Sequence, residues 1–247
     1  MAKRILRGTL AAAVAAFAAV TYLYLSLPDV RGLRAANPET TAFMELRARE
    51  AAAAGKKPRK MQHWVSYDRI SPYLKRAVLV SEDASFFSHE GIDFEEMQKS
   101  IETDLKKGKL ARGGSTITQQ LAKNLYLSPS KNPVRKVEEF LIARRLEAEL
   151  SKRRILELYL NVIEWGDGIY GAEAAARTYF QTSAAALSPD ESALLAASII
   201  NARRFSPARP SKFLLQRQQL IRQRMGDVEP PAPATPAAGR GGAGGLM

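Results

Sequence analysis

Apolar and polar positions follow one another along most of this chain with the period of a helix rather than of a strand. Between Trp64 and about Arg224, sets such as Leu156, Tyr159, Leu160 and Ile163, or Leu194, Ala197 and Ile200, recur at helical spacing, and few segments alternate with period two. The pattern predicts a mainly α domain. Helix start signals agree with it. Ser188-Pro189-Asp190-Glu191 supplies a serine cap, a proline at the first helical position and the glutamate of a capping box. Thr116, three residues before Gln119, supplies a second box, and Gly113-Gly114 lets the backbone bend into it.

The two ends depart from this pattern. Thr9 to Leu27 is an uncharged run behind Lys3, Arg4 and Arg7, and it predicts a transmembrane helix over 9–27 with residues 1–8 in the cytoplasm. A cleaved signal peptide has a shorter apolar core, and Tyr22 and Tyr24 suit a membrane interface. Residues 28–60 are alanine-rich and basic and read as a short helix plus a linker to a main domain at 61–225. The Pro/Gly/Ala-rich tail, 226–247, has almost nothing to bury and is expected to be disordered.

Composition narrows the chemistry. The 247 residues carry a formal charge of +12, which calls for an anionic partner: nucleic acid, an anionic membrane surface or a phosphorylated substrate. There are no cysteines, so disulfides and thiolate chemistry are excluded, and the two histidines, His63 and His89, lie too far apart for a local metal box. Gly166 to Gly171, "GDGIYG", satisfies a dinucleotide-binding pattern without the strand that should precede it. Ser128-x-x-Lys131 matches an acylase motif whose companion motifs are missing. No nucleic-acid motif is visible, so no nucleic-acid partner is expected.

Two carboxylates sit where apolar residues belong. Glu82 continues the face of Leu74, Ala77 and Val78, and Glu139 shares the side of Ile142, Ala143, Leu146 and Leu150. A structural ion pair accounts for either one alone. Together with a polar helix start, where Gln120, Lys123 and Asn124 share a face, and a basic cluster of Lys123, Lys131, Arg135 and Lys136, they can activate a hydroxyl while holding a charged leaving group.

"EDASFFSHEG" resembles the first signature of the peptidoglycan glycosyltransferases, family 51. "GGSTITQQLAKN", "RKVEEFLIARRLE", "RILELYLNVIEWGDGIYGAEAAARTYF" and "LSPDESALLAASI" resemble the four that follow, in order, from about Trp64 to Pro210. "HWVSYDRISPYLKRAV", with no acylase domain after it, is similar to the monofunctional members. The resemblance implies a lysozyme-like glycosyltransferase domain and a lipid II substrate, polymerised into β-1,4 glycan with inversion and release of undecaprenyl diphosphate. It further implies residence on the outer face of the cell inner membrane, with the nascent glycan strand and cell-wall synthesis or division proteins as partners. Glu82 would be the general base and Glu139 would help the diphosphate depart, directly or through a divalent ion, magnesium or manganese. No cofactor is obligatory and no metal ligand is assigned. Ser115, Gln120, Lys123, Asn124, Lys131, Arg135 and Lys136 match positions that line the substrate site. Relatives that cleave glycan and a silent scaffold are the rival readings. Ile200-Asn201-Ala202 replaces a Pro-Asn-Pro turn, which would let the preceding helix run on.

Overall fold

The computed structural model describes residues 2–107, 114–130 and 132–230, without the side chains at several positions of the first helix and of residues 101–107. The helices, in chain order, are α1 (Ala2–Leu25), α2 (Ala42–Ala53), α3 (Pro72–Glu82), α4 (Phe94–Lys107), α5 (Ile117–Tyr126), α6 (Pro133–Glu149), α7 (Lys152–Val162), α8 (Ala172–Phe180), α9 (Pro189–Ser198) and α10 (Lys212–Arg224). The mainly α expectation holds. Several starts are set by local chemistry. Ser71, Asn132 and Ser151 accept from backbone N–H groups in the first turns of α3, α6 and α7, and both expected capping boxes, Thr116 with Gln119 and Ser188 with Glu191, are formed.

The apolar stripes meet in one core. Leu74 and Val78 of α3, Leu121 of α5, Leu146 of α6, and Leu156 and Tyr159 of α7 are all fully buried or nearly so. Helix α5 packs against α6 and α7, and α9 packs between α3 and α10. A small sheet closes one edge: β1 (Met61–Gln62) runs parallel to β3 (Ile169–Tyr170), which pairs antiparallel with β2 (Glu164–Gly166). Strands of two or three residues are too short to leave a period-two signature. The "GDGIYG" stretch runs from the end of β2 through β3 to the residue that precedes α8. Gly171 has φ +82°, and a Cβ there would stand 2.6 Å from the Asn161 carbonyl oxygen, so this glycine serves a close backbone approach.

Residues 28–60, expected as a short helix plus a linker, contain α2 and contribute to the core through three residues. Val30, Leu33 and Met44 are buried in the same core as the α3 stripe, together with Leu27. After Ser198 the chain continues as a single 3-10 turn, Ile199–Asn201. The helix thus runs on by one turn where the prolines are missing, and Asn201 then closes it by accepting from the Arg204 N–H. Among the described residues no helix is long and apolar enough to cross a membrane; the span expected at 9–27 rests on the sequence run. Most of the expected disordered tail, 231–247, lies outside the described residues.

Candidate active site

Glu82 is the last residue of α3, and its side chain is only 13% exposed. Three groups hold it. The Gln120 amide donates to Oε2 at 3.0 Å, the Ser81 hydroxyl lies 3.4 Å from Oε1, and the Arg217 guanidinium of α10 lies 3.7 Å from Oε1. Burial raises the Glu82 pKa above the ordinary carboxylate value, while Gln120, Arg217, Ser81 and Lys123 pull it back. The Gln120 amide is itself oriented, since Tyr159 donates its hydroxyl to Oε1 at 2.9 Å and leaves the NH2 facing Glu82. Tyr159 is wholly buried, and burial keeps its hydroxyl protonated well above its usual range.

The neighbouring Asp83 has a different task. It accepts from the Ile117 N–H at 2.9 Å, so it holds the start of α5, and it pairs with His89 at 3.0 Å. The Gly91 N–H donates to His89 Nδ1, which leaves Nε2 as the donor to Asp83. Asp93 lies close to both but caps α4 through the Glu96 N–H and receives the Ser85 hydroxyl. These groups are satisfied by one another.

Glu139 is buried within α6, and both of its oxygens are taken, Oε2 by Arg135 and Oε1 by Lys136. Lys136 reaches on to the Ser115 hydroxyl at 3.0 Å, joining α6 to the loop before α5. Lys123 is the third cation here. Burial lowers its pKa, and both Glu139 and Glu82 raise it, so it senses the two carboxylates together. Three cations therefore stand against two carboxylates, which leaves one positive charge in excess for an anion. Arg135 and Lys136 each take one acceptor site on the Glu139 oxygens.

Two hollows lie beside the Glu82–Gln120 pair. The larger, about 420 Å³, is lined by Glu82 and Ser115, with Asp93, Glu95 and Glu96 facing the cations Lys99 and Arg224. The smaller, about 260 Å³, holds Gln120, Lys123 and Asn124 on one side with Phe43, Ile200 and Asn201 on the other. Arg47 of α2 pairs with Glu164 at 3.1 Å and with Glu50, while Arg203 pairs with Asp167 at 3.3 Å, so ion pairs strap the juxtaposed segments around this second hollow. Of the residues expected in the site, Glu82, Ser115, Gln120, Lys123, Asn124, Arg135, Lys136 and Glu139 come together; Lys131 lies outside the described residues. Sequence reasoning missed Arg217, one of several arginines in a helix with two buried apolar residues, Leu214 and Ile221, and nothing local distinguishes it. It also missed Tyr159, whose helical spacing marked it as core.

A desolvated carboxylate beside a cluster of cations is equipment for activating a hydroxyl while holding a charged group. A family profile described as Transglycosylase matches residues 49–226. A biosynthetic peptidoglycan transglycosylase of Chromobacterium violaceum is 47% identical over 228 residues, 92% of this chain and 99% of the relative. Proteins of the same name from Laribacter hongkongensis, 50% identical over 195 residues (79% of this chain, 86% of the relative), and Aromatoleum aromaticum, 54% over 169 residues (68% and 74%), are similar too. The chain belongs to the transglycosylase family, among the biosynthetic peptidoglycan transglycosylases, and is a glycosyltransferase.

Proposed function

We propose that this enzyme polymerises lipid II, a disaccharide-pentapeptide on undecaprenyl diphosphate, into β-1,4 glycan for the cell wall, in a cleft of lysozyme-like design. Glu82 takes the proton from the 4-hydroxyl of the acceptor sugar, whose oxygen attacks C1 of the donor. The C1–oxygen bond to the diphosphate breaks with inversion, and the lipid diphosphate leaves as an anion among Lys123, Arg135 and Lys136. Glu139 acts through the two cations it grips, so no step is routed through a metal. The observation that carries this reading is Gln120, which ties a buried carboxylate to the cation-lined groove at 3.0 Å.

The membrane anchor belongs to the same proposal. It is supported by the uncharged run from Thr9 to Leu27 and by the exposure of Leu10, Val14, Phe17 and Val20 along α1. An anchor of this orientation sets the catalytic domain on the outer face of the inner membrane, where the substrate's lipid is embedded.

The test is polymerisation of labelled lipid II in detergent by the purified chain and its Glu82→Gln variant, read as glycan length on a gel. Ladders are expected from the wild type, with a loss of about 10²–10⁴-fold in the variant while lipid II binding persists. Shortening of finished glycan would instead mark a hydrolase. A folded wild type that binds lipid II and makes no product would mark a scaffold.

A further inference from the structure

The C-terminal end of α1 is gripped by a side chain that the proposed chemistry does not use. Arg145, on α6 six residues beyond Glu139, donates Nη1 to the Leu27 and Pro28 carbonyls at 3.1 and 3.2 Å and Nη2 to the Tyr24 carbonyl at 3.2 Å. Its guanidinium also lies 4.9 Å from the centre of the Tyr24 ring. The last carbonyls of a helix lack intrahelical partners and carry the negative end of its dipole, so a cation that reaches them both satisfies and holds them. Lysine could not span three carbonyls, because its ammonium is a single point where the guanidinium is a planar fork.

The clamp extends beyond Arg145. Arg154 of α7 donates to the Leu33 and Ala36 carbonyls at 2.8 and 2.9 Å, and Arg34 donates back to the Glu149 carbonyl of α6 at 3.0 Å. Leu27, Val30 and Leu33 plug the core between these contacts. Thus the chain leaving α1 is fastened at both polar and apolar points to α6 and α7. A loosely tethered domain would need none of these contacts.

We infer that Arg145 is a positioning residue that fixes the direction in which α1 leaves the catalytic domain, and so holds the cleft at one height and tilt over the bilayer. The inference rests on the anchor reading given under Proposed function. A substrate whose lipid stays in the membrane presents its diphosphate at one depth, and a clamped anchor keeps the cation-lined groove at that depth in every encounter. The same helix, α6, carries Glu139 and Arg135 at one end and Arg145 towards the other, which makes the link between anchor and groove rigid and direct.

The chain has no cysteines, so pairs of spin labels can be placed without removing native thiols. The experiment uses the full chain in lipid nanodiscs with Val14→Cys on α1 and Ala148→Cys on α6, both at exposed positions, and measures the label-to-label distance distribution by pulsed electron resonance. The wild-type background is expected to give a single narrow population, lost in Arg145→Ala and broadened in Arg145→Lys. Circular dichroism checks folding; if Arg145→Ala does not fold, Arg145→Lys carries the test. A distribution that stays narrow in the folded variants, or one already broad in the wild-type background, overturns the inference. Failure of the chain to cofractionate with nanodiscs overturns the anchor reading itself and the inference with it, and is read separately from the distances.

Discussion

At the scale of single residues, the site sets two carboxylates in opposite circumstances. Glu82 keeps a desolvated carboxylate held by an amide and a hydroxyl, with the Arg217 guanidinium at 3.7 Å, whereas Glu139 is ion-paired on both oxygens. A base works once ionised, so the polymerisation rate should rise with pH through the raised Glu82 pKa, and fall again where Lys123, whose pKa burial lowers, loses its proton. Arg217→Ala removes one of the influences that lower the Glu82 pKa. Its rate profile should show an acid limb moved to higher pH, and an unmoved limb would argue against Glu82 as the base. The same shift bears on stability. A carboxylate whose pKa is raised on folding contributes stability that is present below its unfolded value and is lost as pH rises through the folded one. Glu82→Gln should therefore melt at or above the wild-type temperature at neutral pH, with the gain vanishing in acid; a clear loss of melting temperature would show that Glu82 is there for the fold. Glu139→Gln is expected to destabilise the fold instead. Leaving Arg135 and Lys136 without their buried partner should cost about 3 kcal/mol in urea unfolding.

At the scale of elements, what was legible in the sequence had a local cause. The capping boxes at Thr116 and Ser188 are formed because their partners lie within one turn, and the stripe from Leu74 to Glu82 is a helix face by spacing alone. The β1–β3 pairing joins residues about a hundred positions apart and leaves no periodic trace. The packing of Val30, Leu33 and Met44 was equally hidden, because these residues form no extended apolar stripe in a basic, alanine-rich stretch. In the site, Glu82 and the α5 face could be read from the chain, whereas the approach of Arg217 depends on how α10 lies across α9 and α3. Gly171 tests the junction between β3 and α8, where it abuts the end of α7. Its φ of +82°, and the 2.6 Å that would separate a Cβ from the Asn161 carbonyl oxygen, leave no room for a methyl group. Gly171→Ala should lose about 1–3 kcal/mol in a denaturant melt, and a neutral outcome would mean that this junction is not held this tightly.

At the scale of the molecule, two forces can bring this chain to a membrane, and they respond differently to salt. The net charge of +12 attracts an anionic surface, each basic residue near it contributing about 1 kcal/mol, and this attraction is confined to ~3 Å at about 1 M salt. The exposed side chains of Leu10, Val14, Phe17 and Val20 on α1 draw on a different source. Removing each from water contributes about 1.5–3 kcal/mol, and screening does not weaken that term. If α1 is inserted, the full chain should float with vesicles of zwitterionic and anionic lipid alike and stay with both through a wash at about 1 M salt. Charge should then matter only for how the domain rests on the surface, with anionic lipid favouring approach of the basic faces around Lys123 and Arg135. If salt releases the chain, adsorption by charge is the whole of its membrane affinity. Arg145 would then be holding a helix that faces water, and the two-dimensional search for a lipid-linked substrate would lose its physical basis.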